Sequence, residues 1–179
     1  MNPIRLKLKR PQQKVLFVDD DPEVHAHAQR VSKRLGLQKR TAYNPEQANR
    51  KIQLRLRAIN RLMEILSKKR ELAKTSLQKA VFTDRIKSLR ELQKKPFALV
   101  VSDIHMPKDQ PTGPGFVRRL RDKLPKQKIL MHSDDYLKLE DLEKEGFSIS
   151  EKNDIPNGRD ELREGIENSL KNKKNPLRR

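Results

Sequence analysis

Cysteine and tryptophan are absent from this chain, aromatic residues make up only 4% of it, and Gly and Pro are missing entirely between Glu46 and Lys95. Without cysteine, disulfides and thiolate metal sites are excluded, which suits a reducing compartment. No apolar run approaches the roughly 20 residues of a membrane span or the hydrophobic region of a signal peptide. The expectation is a soluble cytoplasmic protein with no membrane partner. The hydrophobic fraction is 34% against 37% charged residues, so much of the length must be solvated helix or tail. At 179 residues the chain still fits one domain with additions.

The net charge of +18 raises nucleic acid as a partner, but it is unevenly placed. Residues 1–14 carry +5, 15–44 carry +1, 45–96 carry +10, 97–169 carry −3 and 170–179 carry +5. The excess lies in two ends and one middle segment, and the remainder is close to neutral.

The central stretch is FALVVSDIHMP, residues 97–107. Its first residues read as a strand buried on both faces, and the run stops at one carboxylate, Asp103. Along the chain, residues 1–13 form a basic arm in which Ile4, Leu6 and Leu8 alternate with Arg5, Lys7 and Lys9, as an edge strand or without fixed structure. Val15 to Val18 make a second apolar run closed by Asp19, Asp20 and Asp21. Pro22 suits the first turn of a helix capped by Asp21 or Asp20, with Val24, Ala28, Val31 and Leu35 on one face and Gly36 as its stop. LQKRTAY reads as a weak strand, and Asn44 with Pro45 opens the next helix.

From Glu46 to Lys95, Ile52, Leu56, Ile59, Leu62, Met63 and Leu66 form one helical stripe. Leu77, Ala80, Val81 and Phe82 begin another that Ile86, Leu89 and Leu92 continue. A single straight helix of that length would run about 75 Å and could not return to a neighbouring strand. The sequence predicts a reversal within Ser67–Ser76 or at Thr83 and Asp84, giving a projecting basic hairpin. Its stripe is read as the seam between its own helices or as a dimer seam. A punctuated loop follows Pro107, then a short helix carrying Phe116, Leu120 and Leu124. KILMHSD is a strand ending at Ser133, Leu137, Leu139 and Leu142 suit a helix closed by Gly146, and FSISEK is a strand ending near Lys152. Leu162, Ile166 and Leu170 line the last helix before a basic tail at 174–179.

Strand and helix alternate five times, which predicts an α/β fold, a doubly wound parallel sheet with helices on both faces. In the order 2-1-3-4-5 the first and third strands are neighbours about 4.8 Å apart. Asp19, Asp20 and Asp103 then share one pocket, flanked by Ser133 and Lys152. Clustered carboxylates repel unless a divalent cation sits among them, and all-oxygen ligands suit Mg²⁺ or Mn²⁺. A carboxylate backed by a metal, a hydroxyl and an ammonium is equipped to hold a phosphoryl group. The four histidines make no metal cluster by spacing. His25 and His27 read as solvated, and His105 and His132 as flanking the pocket.

The acid pair after the first strand, SDIHMP after the third, Ser133 after the fourth and Lys152 after the fifth resemble the receiver domain of two-component response regulators. The resemblance covers residues 14–173 and leaves out 46–95. It implies a flavodoxin-like fold whose second helix is extended by a helical-hairpin insertion. It also implies Asp103 as phosphoacceptor, with Asp19, Asp20, Asp103 and the main-chain carbonyl of His105 holding Mg²⁺. Ser133 and Lys152 would bind and sense the phosphoryl group, and Ile149, or Phe147 if the register slips, would occupy the switch position. The implied partner is a sensor histidine kinase or phosphotransfer protein, with a homodimer as a further contact. The sequence departs from the family at Asn153, where proline is common, and in the longer loop after Pro107. No output domain follows Arg179, so the expectation is a stand-alone receiver or part of a longer regulator.

Two other readings remain open. The basic segment 45–96 could bind nucleic acid or an acidic partner, although it has almost no aromatics for stacking and no helix-turn-helix signature. Asp19 and Asp21 also form a DxD after a strand, vaguely resembling haloacid-dehalogenase-type phosphatases, but Pro22 and Glu23 depart from that pattern.

Overall fold

The computed structural model describes residues 13–105, 112–152 and 160–171. Five strands, β1 (Lys14–Val18), β2 (Gln38–Ala42), β3 (Leu99–Ser102), β4 (Ile129–Ser133) and β5 (Ser148–Glu151), form one all-parallel sheet. Its order is β2-β1-β3-β4-β5, as expected. Among the described residues six helices connect and cover it: α1 (Pro22–Arg34), α2 (Pro45–Glu71), α3 (Ser76–Lys94), α4 (Gly113–Lys123), α5 (Tyr136–Lys144) and α6 (Glu161–Leu170).

Successive strand residues point to opposite faces, and here both faces are dry. Leu16, Val18, Val100, Met131 and Ile149 pack with Ala48 and Ile52 of α2, Phe116 and Leu120 of α4, and Leu139 and Leu142 of α5. Val15, Phe17, Leu99, Val101 and Leu130 pack on the other side with Ala28 and Val31 of α1 and Leu162 and Ile166 of α6. Each such side chain contributes about 1.5–3 kcal/mol by leaving water. The exception is β2, where only Ala42 is fully buried, because this strand has a neighbour on one side only.

The helix starts follow their sequence signals. Asp21 caps α1 by accepting the Glu23 N–H at 2.7 Å, with Pro22 in the first turn, and Gly36 ends it at φ +65°. The buried face of α1, however, contains His25, with Val24 only half-buried. This corrects the reading of His25 as solvated. Its Nε2 lies 2.9 Å from the Asp19 carbonyl and its ring meets Tyr43 edge-on at 4.7 Å.

Asn44 caps α2 and Thr75 caps α3. The reversal falls at residues 72–75, inside the first of the two expected windows, while Thr83 bonds back to the Lys79 carbonyl within α3. The hairpin seam buries Ile59 and Ile86 and half-buries Leu56, Met63, Leu66, Phe82 and Leu89. Gln93 Nε2 donates to Asn60 Oδ1 at 2.9 Å across it. At its base Arg55 donates to the Pro96 carbonyl and stacks its guanidinium over Phe97. No helix among the described residues is long and apolar enough to cross a membrane. The expected basic arm, the tail 174–179 and Asn153 lie outside the described residues.

Candidate functional site

The carboxyl ends of β1 and β3 bring the acids together. Val18 pairs with Ser102, so Asp19 and Asp103 emerge side by side, and the Asp103 N–H donates to the Val18 carbonyl at 2.9 Å. Carboxylate oxygens of Asp19, Asp20 and Asp103 lie within 4.8 Å of one another. Asp19 and Asp103 are buried and Asp20 is exposed, so the trio has one open side. The Ile104 N–H donates to Asp103 Oδ1 at 2.7 Å, which fixes the carboxylate and leaves Oδ2 for the pocket.

Lys152 follows β5 and reaches across. Its Nζ lies 2.8 Å from Asp19 Oδ2 and 3.2 Å from Asp103 Oδ2. The Lys152 N–H donates to the Ser133 carbonyl at 2.8 Å, which ties its start to the end of β4. Burial opposes the ammonium, but the bond it donates to Asp19 and the nearby Asp103 charge outweigh it, and its pKa lies above the ordinary lysine value. For Asp103 burial prevails: the pKa is raised although Lys152 pulls it back, and Asp19 pushes it further up. One ammonium is therefore too little positive charge for the carboxylates it serves. Three clustered oxygen donors still short of positive charge are a donor set that fits Mg²⁺ or Mn²⁺.

Ser133 is fully buried, one residue beyond the position opposite Asp103, with Asp135 N–H 3.4 Å from its Oγ. The His105 side chain turns outward, 3.1 Å from Lys138 Nζ and 3.4 Å from Asp135 Oδ2. Ile149 is buried in the sheet opposite Met131, and Phe147, just before β5, lies under the Arg121 guanidinium at 4.2 Å. Asp21 is not among the clustered acids, because its carboxylate is used as the α1 cap. A cleft of about 430 Å³ opens beside Lys152, lined by His27, His132 and Asp160 among others, and the three clustered acids are not part of its lining.

Gly113 was legible in the sequence only as a loop residue. A Cβ at Gly113 would stand 1.7 Å from the Asp103 carbonyl oxygen, so α4 starts hard against the backbone at the end of β3. Gly113→Ala should lower stability by about 1–3 kcal/mol and shift Asp103, the penalty of overpacking against backbone. Gly115→Ala, whose nearest neighbour is the Thr112 side chain at 3.3 Å, should cost far less. Urea unfolding of the two variants checks this, and equal midpoints would refute the close-approach argument.

His132 is the other residue whose role the sequence left open. It lies buried in β4 with Nδ1 lacking a hydrogen-bond partner, and burial, with Lys152 adding, pushes its pKa down to about 3. An unfolded histidine titrates near 6.5, so between roughly pH 6.5 and 3 the unfolded chain binds a proton the folded one refuses. The stability this residue allows is complete above that window and falls by about 1.4 kcal/mol per pH unit within it. His132→Met should flatten the acid limb of the stability curve, measured by urea midpoints from pH 7 to 4. An unchanged slope would show that His132 is not the group responsible.

No family model matches the sequence, and no curated protein matches it. Solved structures do match. The receiver domain protein of Clostridium thermocellum is 16% identical, with 89% of this chain and 95% of that one covered and a TM-score of 0.53. The Thermotoga maritima response regulator TrrA, solved with Mg²⁺ and BeF, is 19% identical over 88% and 99%, also at 0.53. The receiver domain of an HD domain-containing protein from Pseudomonas fluorescens is 14% identical over 90% and 97%, again at 0.53. With its 2-1-3-4-5 sheet and helices on both sides, the chain shares the fold of response regulator receiver domains.

Proposed function

We propose that this chain is a phosphoacceptor of a two-component phosphorelay, taking a phosphoryl group on Asp103. The observation that carries the reading is the convergence of three other strand ends on the carboxylate that follows β3: Asp19 and Asp20 from β1, Ser133 from β4 and Lys152 from β5. Asp103 Oδ2 attacks phosphorus, the new O–P bond forms as the donor's P–N or P–O bond breaks, and the leaving group departs with the bonding pair. Asp19, Asp20, Asp103 and the main-chain carbonyl of His105 would hold Mg²⁺. The bound cation supplies charge neutralisation for the phosphoryl oxygens. Lys152 pairs with the charge of the acyl phosphate, and Ser133 donates its hydroxyl proton to a phosphoryl oxygen.

The donor is a sensor histidine kinase or a phosphotransfer protein. Engagement of Ser133 draws on the β4–α5 segment, and Ile149 and Phe147, packed between β5 and α5, carry the change to the surface that meets a partner or a second copy. The phosphatase alternative needs Asp21 as a second catalytic acid. A side chain accepting the Glu23 N–H at 2.7 Å as a helix cap argues against that role.

The test is incubation with acetyl phosphate and Mg²⁺ followed by mass spectrometry. One acid-labile phosphoryl group is expected, and none when EDTA removes the cation. A chain that stays unmodified by both acetyl phosphate and beryllofluoride has a degenerate pocket, and the proposal fails.

A further inference from the structure

Helix α2 carries two apolar stripes where a two-helix hairpin needs one. The inner stripe of Leu56, Ile59, Met63 and Leu66 packs in the seam with α3. The outer stripe of Leu54, Ala58, Leu62, Ile65 and Leu72 recurs at helical spacings and stays in water. Leu54 is 57% exposed, Leu62 50%, Ile65 42% and Leu72 81%. On α3, Val81 and Leu92 are exposed as well. Between the helices runs a groove of about 530 Å³ whose walls include Leu62, Ile65 and Leu66 from α2 and Leu89 from α3, with Lys69, Arg85 and one acid, Asp84, beside them. A groove flanked by two apolar stripes is the surface a third amphipathic helix covers to complete a bundle.

Charge selects the occupant. Residues 45–96 hold fifteen Lys and Arg against five Asp and Glu. Residues 1–12 and 172–179 each contain four Lys or Arg and no acid, so this chain's own ends are repelled. A second copy would set one basic hairpin against another. A nucleic acid backbone has the right sign, but it would leave Leu62 and Ile65 facing phosphates with no apolar surface to bury. We infer that the α2–α3 groove is the docking site for an amphipathic helix of another protein, apolar along one face and flanked by Asp and Glu. This does not depend on Asp103 being phosphorylated.

The test uses the full chain and two fluorescently labelled helical peptides of about 20 residues, long enough for some 30 Å of groove. One carries Leu at i, i+3, i+4 and i+7 with Glu on the flanks, and the other has Lys in place of each Glu. Fluorescence anisotropy should show binding of the Glu peptide and none of the Lys peptide. Leu62→Asp with Ile65→Asp should weaken it at least about tenfold. Lys69→Glu with Arg85→Glu should do the same, while Lys33→Glu on α1 should have little effect. All these sites are exposed, so circular dichroism should stay unchanged. Failure of the Glu peptide to bind at low salt overturns the inference. So does binding that the Leu62 and Ile65 changes leave intact, since that is attraction by charge alone. A duplex DNA complex in place of the peptide complex, or a dimer dissolved by the same two changes, assigns the groove to another occupant and equally overturns it.

Discussion

Lys152→Met should destabilise the protein by about 3 kcal/mol at pH 8 in EDTA, and millimolar Mg²⁺ should restore most of that loss. Among the described residues the wild-type ammonium is the one cation within ion-pairing distance of both buried carboxylates, at 2.8 Å from Asp19 and 3.2 Å from Asp103. Removing one partner of a buried ionic cluster typically costs about 3–5 kcal/mol, because uncompensated charge is left behind. The lower end applies here, since Asp20 and one side of the cluster face solvent. Protonation offers a second relief. Burial already raises the Asp103 pKa, and loss of Lys152 removes the ammonium that pulls it back. The folded variant then binds a proton more readily than the unfolded chain, so its deficit is largest above that pKa and shrinks as pH falls through it. Urea unfolding at pH 8 and pH 5, with EDTA or with Mg²⁺, reads this directly. A deficit indifferent to both cation and pH would mean that Lys152 acts by packing alone and that the trio holds no metal.

The second large effect belongs to Asp103 itself. Asp103→Asn should abolish phosphoryl incorporation from acetyl phosphate and, at neutral pH, leave the fold at least as stable as wild type. The amide keeps the shape and the bond from the Ile104 N–H, but it offers no nucleophilic carboxylate oxygen. Because the folded environment raises the Asp103 pKa, it disfavours the charged form, and a neutral isostere escapes that penalty. Intact-mass spectrometry and urea midpoints on one preparation measure both. A phosphoryl group retained in Asp103→Asn would move the acceptor elsewhere, with Asp19 the first place to look.

The strand ends were legible because an apolar run closed by an acid is a local pattern, and Val15–Asp19 and Phe97–Asp103 both have it. Alternation of strands and helices predicted a doubly wound parallel sheet, and the flavodoxin-like order of such a sheet turned those separate endings into one pocket. β2 was faint because an edge strand is only partly buried and QKRTA need not be apolar. His25 was misread because a polar residue type hid a buried position, although one turn back from Ala28 the apolar face of α1 has to continue. Gly113 gave no distinguishing signal among the glycines and prolines of its loop, since its close contact is with the backbone of Asp103, on the far side of that loop. The hairpin reversal was legible from length alone, but two near-parallel stripes on α2 could not be told apart until the seam was seen to use only one.

The hairpin also bears on how the central strands find each other. β1 must meet β3, with Val15 beside Leu99, across everything in between. Loop-closure entropy grows only logarithmically, about 0.6 kcal/mol for each doubling of a flexible connection. α2 and α3 pair locally, as the Asn60–Gln93 bond across their seam records, and a hairpin formed ahead of the β1–β3 pairing would bring the two ends of the insertion together. The effective tether between those strands is then α1, β2 and the short segments at the hairpin base, where Arg55 holds the Pro96 carbonyl. The search for the central pairing is set by those segments, and the insertion adds length to the chain without slowing the step that closes the sheet.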